Sequence, residues 1–214
     1  LEKQREELDR WDRLQELTVE EIEMMGGGNI TQLFGRIENR VHGKPEPIKI
    51  DKVVDDGKTL KFGERSIRVF WTPGHAREHI CLYDADNRIL FSGDHILPKI
   101  TSHVSLHTYQ SHDPLNDYLT SLKKVKDLPV DIVLPGHERT FTDLAGRIDQ
   151  IRAHHKARCD EVKEALHNAE KTIYQVGSRI SWDSRPWPQM DFWTKRMAAT
   201  EAYAHLIYLR NRSE

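Results

Sequence analysis

Three short polar clusters carry the side chains that divalent metals bind. They are Thr72-Pro73-Gly74-His75 with His79 four residues on, Phe91-Ser92-Gly93-Asp94-His95, and Leu134-Pro135-Gly136-His137. Imidazole and carboxylate together suit a borderline-soft, Lewis-acidic ion such as zinc. Each cluster follows an apolar run and contains a glycine, which lets the backbone turn sharply at a strand end. A lone Pro-Gly-His is more often a turn with a satisfied histidine than a ligand. Three such turns in series, all ending apolar runs, point to one metal site on a rigid scaffold.

The elements that must position them follow from the hydrophobic pattern. Ile48, Ile50 and Val53 predict a strand, and Asp55-Asp56-Gly57 a turn. Leu60 and Phe62 alternate with Lys61; after a Gly63-Glu64 turn, Ile67, Val69 and Trp71 alternate with Arg68 and Phe70. Ile80–Tyr83 and Ile89–Phe91 are two further strands across the turn-prone segment 84–87, so much of the sheet is expected to be antiparallel. A helix fits Pro114–Lys126, capped by Asp113, with Leu115, Leu119, Leu122 and Val125 inward. Ile132–Leu134 is a short buried strand. Phe141, Leu144, Ile148, Ile151, His155, Cys159, Val162 and Leu166 mark one long helix over 141–168. Thr172 with Gln175 opens a short helix through Ile180, and a Trp/Pro-rich loop, 181–189, leads to a last helix over 191–209. Upstream, Leu1, Leu8, Trp11, Leu14 and Leu17 form an apolar stripe, and Thr18 with Glu21 predicts a second helix starting there. Gly26–Gly28 reads as a helix break, since no strand precedes it and no Gly-Lys-Ser/Thr follows. His42 and the segment 44–47 read as a linker.

Composition narrows the function. Among 214 residues, 32 Lys and Arg face 34 Asp and Glu, a net charge of −2 that argues against an electrostatic nucleic-acid binder. No apolar run is long enough for a membrane span, and no signal-like segment opens the chain. Two cysteines, Cys81 and Cys159, are too few for a disulfide scaffold and fit a cytoplasmic location.

The three clusters resemble the later metal-binding motifs of the metallo-β-lactamase superfamily, with the closest likeness over residues 48–140. The resemblance implies an α/β (α+β) fold, part of a four-layer αβ/βα sandwich. It also implies a two-metal site, with zinc the expected ion. By that resemblance His75 completes the first metal's ligands. Asp94 bridges both metals and is the residue expected to be catalytic, and His137 ligates the second. His79, His95 and His103 are expected to lie around these ligands or near substrate, with an exposed loop position the equal alternative for His95. One branch of the family, the β-lactamase-like protein 2 group, carries a long helix and a small winged-helix-like domain after the last histidine motif, and residues 141–214 resemble that appendage, with the wing expected to be missing. The resulting division is a helical segment over 1–45, the metal-site half over 46–140, and the long helix with the winged-helix-like part over 141–214.

One departure is plain. The family's first motif, His-x-His-x-Asp-His, does not occur; His154-His155 fails its spacing. Residues 1–45 resemble the helical stretch after that motif, so the chain is expected to match the rear of a longer enzyme. In a complete site the two ions make hydroxide available near neutral pH and polarise the substrate oxygen. With His75, Asp94 and His137 alone, one ion or none is expected, with weak affinity and little hydrolysis. The leading expectation is hydrolysis of a thioester or ester of a small acyl substrate. Single-stranded RNA cleavage on the same fold and a non-catalytic interaction module are the rivals. Exposed apolar surface is expected to favour self-association.

The remaining conspicuous residues have ordinary expectations. His103, His107 and His112 belong to a polar loop over 99–113. Glu138 and Arg139 are expected in a surface salt bridge, and Cys159 in the core. Trp182, Trp187 and Trp193 are expected to pack the appendage against the main domain. Lys195, Arg196, Arg210 and Arg212, interleaved with Asp183, Asp191 and Glu201, read as a solvated face.

Overall fold

A computed structural model describes residues 14–28, 51–108, 110–167, 171–183 and 185–213. The stripe of Leu1, Leu8 and Trp11, the linker around His42 and 44–47, and Ile48 and Ile50 lie outside the described residues.

Five strands form one sheet: β1 (Thr59–Phe62), β2 (Arg65–Trp71), β3 (Ile80–Asp84), β4 (Ile89–Gly93) and β5 (Ile132–Pro135), in that spatial order. The first three pairings are antiparallel, across tight turns for β1–β2 and β3–β4 and across the loop 72–79 for β2–β3. Between β3 and β4, Asp84 shapes the turn by accepting from the backbone N of Asn87 at 3.1 Å. β5 is parallel to β4. A parallel neighbour needs a long crossover, which here contains α2 (Pro114–Lys126). Val53 belongs to no strand and is 77% exposed, against the expected early strand.

The two faces of the sheet differ. Phe70, Cys81, Tyr83, Leu90 and Val133 face α2 and α3 (Leu144–Leu166) and form the main core with Leu115, Tyr118, Leu122, Val125, Ile148 and Ile151. Phe70 is therefore inward, not outward as alternation with Val69 alone would make it; the strand is apolar on both faces. The register sets Val69, Leu82, Phe91 and Leu134 side by side on the other face. There Val69 is buried, while Phe91 is 38% exposed. Sheet and helices make two layers; a second sheet is not among the described residues.

Helix ends follow their capping chemistry. Asp113 and Asp143 accept from the backbone N of Asn116 and Gly146 at the starts of α2 and α3. Thr172 and Gln175 make a reciprocal capping box at α4 (Ile173–Gly177), which ends before Ile180. The last helix, α5 (Phe192–Arg210), starts at Asp191. It packs on α2, α3 and α4. Tyr208 and Leu209 reach the main core, and Ala202 joins Val162, Val176 and Ile180.

At α1 (Leu14–Met24) the expected start at Thr18 fails, because the helix runs through it. The competing use is tertiary. Glu21 is fully buried, accepts from His107 Nδ1 at 2.8 Å and pairs with Arg196 at 2.7 Å. Helix α1 ends before Gly26, whose φ is +85°, in agreement with a helix break. Among the described residues no helix is long and apolar enough to cross a membrane.

Candidate active site

The three clusters meet at one edge of the sheet, because β2, β4 and β5 all deliver their C-terminal ends there. After β2, Thr72 is buried and closes the loop to His79, donating its backbone N to the His79 carbonyl at 2.9 Å. The backbone N of Asp94 donates to His79 Nε2 at 3.2 Å, so that nitrogen is an acceptor. His79 Nδ1 then carries the hydrogen and donates to Thr72 Oγ1 at 2.8 Å. Both ring nitrogens are engaged within the protein, so His79 fixes the backbone of Asp94 and has no lone pair left for an ion. Burial, then repulsion from His75, holds its pKa below the ordinary histidine value.

After β4, Gly93 takes φ +50°, and a Cβ there would lie 2.6 Å from His79 Nε2. Only glycine permits this turn and this approach. The carbonyl of Asp94 accepts from Ser102 Oγ, and that of His95 from Tyr118 Oη at 2.7 Å. After β5, Gly136 donates its backbone N to the Gly93 carbonyl at 2.8 Å. A Cβ on Gly136 would stand 2.7 Å from Asp94 Oδ1, so its absence makes room for the carboxylate.

Asp94 thus stands between two imidazoles. His75 Nε2 is 3.9 Å from Oδ2, and His137 Nε2 is 3.3 Å from Oδ1. His75 Nδ1 donates to the His103 carbonyl at 2.8 Å, which leaves the Nε2 lone pair facing the carboxylate. Asp94 Oδ1 is buried without a hydrogen-bond partner. Two electron-rich atoms turned toward one another, with an orphaned carboxylate oxygen beside them, are the donor chemistry of a cation site. The imidazoles address different oxygens of one carboxylate. Each nitrogen–oxygen pair offers two donors, fewer than the three protein ligands of a catalytic zinc site. Among the described residues no group of three His, Cys, Asp or Glu side chains surrounds one point.

The other histidines separate by location. His95 is fully buried, not exposed, with its ring edge-on to Tyr118 at 4.9 Å. Burial pushes its pKa down to about 3. His103 Nδ1 lies 3.1 Å from Glu201 Oε2, and His107 is bound to Glu21. The loop over 97–108 is therefore tied down on several sides. Glu138 accepts from the backbone N of Lys99 at 3.1 Å instead of making the expected surface salt bridge. Arg147 donates to the carbonyls of Leu97, Lys99 and Ile100. A cavity of about 430 Å³ opens beside the loop, walled by Ile100, His103, Arg158, Trp182 and Glu201.

Sequence reasoning missed several of these supports. Glu201 and Arg196 are engaged by His103 and Glu21 in half-buried contacts, not on a solvated face. Glu21, Arg147 and Glu201 act on partners tens of residues away, and no local pattern announces that. Tyr118 had a readable signal, lying three residues after Leu115 and four before Leu122 on the buried stripe. Cys159 is buried, as expected, and burial lifts its thiol to about 11.

Comparison with known proteins places the chain in a family. The family model described as "Metallo-beta-lactamase superfamily" matches residues 7–137. A "Beta-lactamase-like protein 2 homolog" of Caenorhabditis elegans is 32% identical over 145 residues, covering 67% of this chain and 46% of that protein. The human "Acyl-coenzyme A thioesterase MBLAC2" is 36% identical over 140 residues, 64% of this chain and 47% of the relative. The chain thus spans about half the length of the curated relatives it matches. A crystal structure of a metallo-beta-lactamase family protein from Thermus thermophilus superposes with a TM-score of 0.69 and 30% identity, over 90% of this chain and 57% of that one.

Proposed function

Since the chain belongs to the metallo-β-lactamase superfamily, we propose that it carries the metal-site half of a hydrolase acting on thioesters of small acyl groups. The observation that carries this reading is the carboxylate of Asp94 with His75 Nε2 on one oxygen and His137 Nε2 on the other. The substrate class is supported by relatives named acyl-coenzyme A thioesterase and atrochrysone carboxyl ACP thioesterase. The chain's near-neutral charge, −2 overall, speaks against the RNA-cleaving alternative.

His75, Asp94 and His137 would hold divalent metal, with zinc the ion expected of imidazole and carboxylate donors. When bound, such metal supplies an activated water and a Lewis acid for the substrate carbonyl. The chain's own part is placement. His79 and Gly93 fix the backbone of Asp94, so its two oxygens are held apart at one position. The His103 carbonyl holds His75 in the tautomer that frees Nε2. Ile100 and Trp182 give apolar surface, suited to an acyl or thiol arm, to the cavity beside the loop that carries His103.

The test is zinc and cobalt titration alongside hydrolysis of short acyl-coenzyme A thioesters by the 214-residue chain and by any longer protein that contains it. Metal-dependent hydrolysis that Asp94→Ala abolishes is the expected result. Undiminished hydrolysis in Asp94→Ala, or no metal bound by the wild-type protein, would sink the reading. The 214-residue chain alone is expected to bind metal weakly and turn over little, because each position has only two ligands from it.

A further inference from the structure

The last helix reaches the candidate site through one unbroken line of contacts. Glu201 Oε2 lies 3.1 Å from His103 Nδ1. The carbonyl of the same His103 accepts from His75 Nδ1 at 2.8 Å. His75 Nε2 then faces Asp94. We propose that Glu201 is a positioning residue, which through His103 sets the His75 imidazole so that Nε2 is presented to Asp94. This rests on the reading of His75 as a ligand for its purpose, though not for its geometry.

The contacts around Glu201 favour a directional role over simple packing. Its side chain is 15% exposed and stands between α5 and the loop, where a leucine would fill the space without losing hydration. What a carboxylate adds is a fixed acceptor for one ring nitrogen. Burial alone would push this carboxyl up, but the His103 hydrogen bond and the imidazoles of His103, His205 and His155 outweigh it and hold it at about 2. The backbone around it is fixed as well: the Thr200 carbonyl accepts from Leu106 N at 3.1 Å, and the Glu201 carbonyl accepts from His205 Nδ1 at 2.8 Å. Anchoring at 106 and at 107, where Glu21 holds His107, ties the loop down on one side of His103. Neither contact orients residue 103 itself, and the Glu201 contact does.

A histidine has two neutral tautomers, and the second atom's hydrogen bond selects between them. With the His103 carbonyl in place, His75 carries its hydrogen on Nδ1 and Nε2 is bare. If residue 103 rotates, that selection is lost. Outer partners of metal-bound histidines typically matter by about 10–100-fold in affinity, and about 10-fold is expected here because the link has two steps.

The test uses the metal-free chain with ¹⁵N-labelled histidine. Two-bond ¹⁵N–¹H spectra should show His75 as the Nδ1–H tautomer in the wild type. Glu201→Ala should give a mixture of tautomers at His75 and a cobalt affinity lowered about 10-fold. Glu201→Gln keeps an acceptor oxygen and should restore both. A folded Glu201→Ala chain with an unchanged His75 tautomer overturns the proposal, as does a Gln variant no better than Ala. If Glu201→Ala does not fold, His103→Ala removes the other end of the link and is read the same way. The tautomer is measured without metal or substrate, so a wild type that binds no cobalt, or hydrolyses no thioester, defeats the functional reading and leaves this one standing.

Discussion

Two regions of the molecule use their histidines in opposite ways. At the rim, His75 and His137 stand at strand ends with side chains 32% and 68% exposed, each turning a ring nitrogen to Asp94. Behind the rim, His95, His155 and His205 are at most 1% exposed. There His155 Nδ1 is 3.1 Å from His205 Nε2, and Tyr118 stands edge-on to both His95 and His155. Burial, then the neighbouring His205, drives His155 down to about 3, so it is a neutral ring of the core. The difference shows that histidine becomes ligand-like through placement. At His75 and His137 the strand-end turn leaves the ring half-wet beside a carboxylate. A helix face, or for His95 the inner side of the turn after β4, closes the same ring into a packed layer.

Removing the carboxylate at the rim is the sharpest way to break this contrast. Asp94→Ala should lower cobalt affinity by more than about 100-fold, beyond the range of outer partners. Its melting temperature should not fall, because Asp94 Oδ1 is buried without a partner and its loss removes a desolvation cost. A loss of stability with unaltered metal binding would mean that Asp94 belongs with the structural group. Gly93→Ala should act on both regions at once. The added Cβ meets His79 Nε2 at 2.6 Å and must adopt φ +50°. A cost of about 2–3 kcal/mol in denaturant unfolding is expected from strain and displacement of His79.

The sequence made the rim more legible than what supports it. The strand-end glycines are legible as turns, though the close approaches that require them at Gly93 and Gly136 are long-range. Asp113 and Thr172 with Gln175 work through neighbours within three residues, so their spacing is their mechanism. Thr18 and Glu21 have the same local form, yet Glu21 is claimed by His107 and Arg196, and the helix passes straight through Thr18. Glu201 reaches His103 across 98 residues, and nothing near either one marks the pair. Phe70 shows the same limit in the sheet. A strand apolar on both faces has no alternation from which to read which side meets α2 and α3. Whether the face bearing Phe91 is covered depends on a partner layer that pattern alone does not reveal.

Acid should separate the two regions without mutation. His155 is neutral when folded, and its unfolded form takes up a proton around its ordinary value of 6.5. A depressed folded pKa in a base means that stability is full above about 6.5 and falls as pH drops toward 3. The unfolding free energy of the metal-free chain, from urea titrations, should decline in that window by about 1 kcal/mol per pH unit from this group. His155→Phe, which keeps a ring in the layer, should flatten the decline. An unchanged slope would place the acid sensitivity elsewhere.

The smallest effect asks whether α5 serves the rim through its whole length or only through its middle. Asp191 caps the helix, accepting from the backbone N of Thr194 at 2.8 Å, and Glu201 lies almost three turns further on. Asp191→Ala should cost about 1 kcal/mol, or about 2–4 °C in melting temperature for a chain of this size. The hydrogen bond to Thr194 holds the Asp191 carboxyl below the usual aspartate value, so the cap contributes above pH 3.8 and is lost as the pH falls through its lower folded value. The middle of α5 has its own anchors, the Thr200 carbonyl on Leu106 N and Glu201 on His103. Fraying of the first turn should therefore leave the His75 tautomer as it is. A tautomer that changes along with the cap would show that the rim senses the register of the entire helix, and that the contact at Glu201 transmits it rather than setting it.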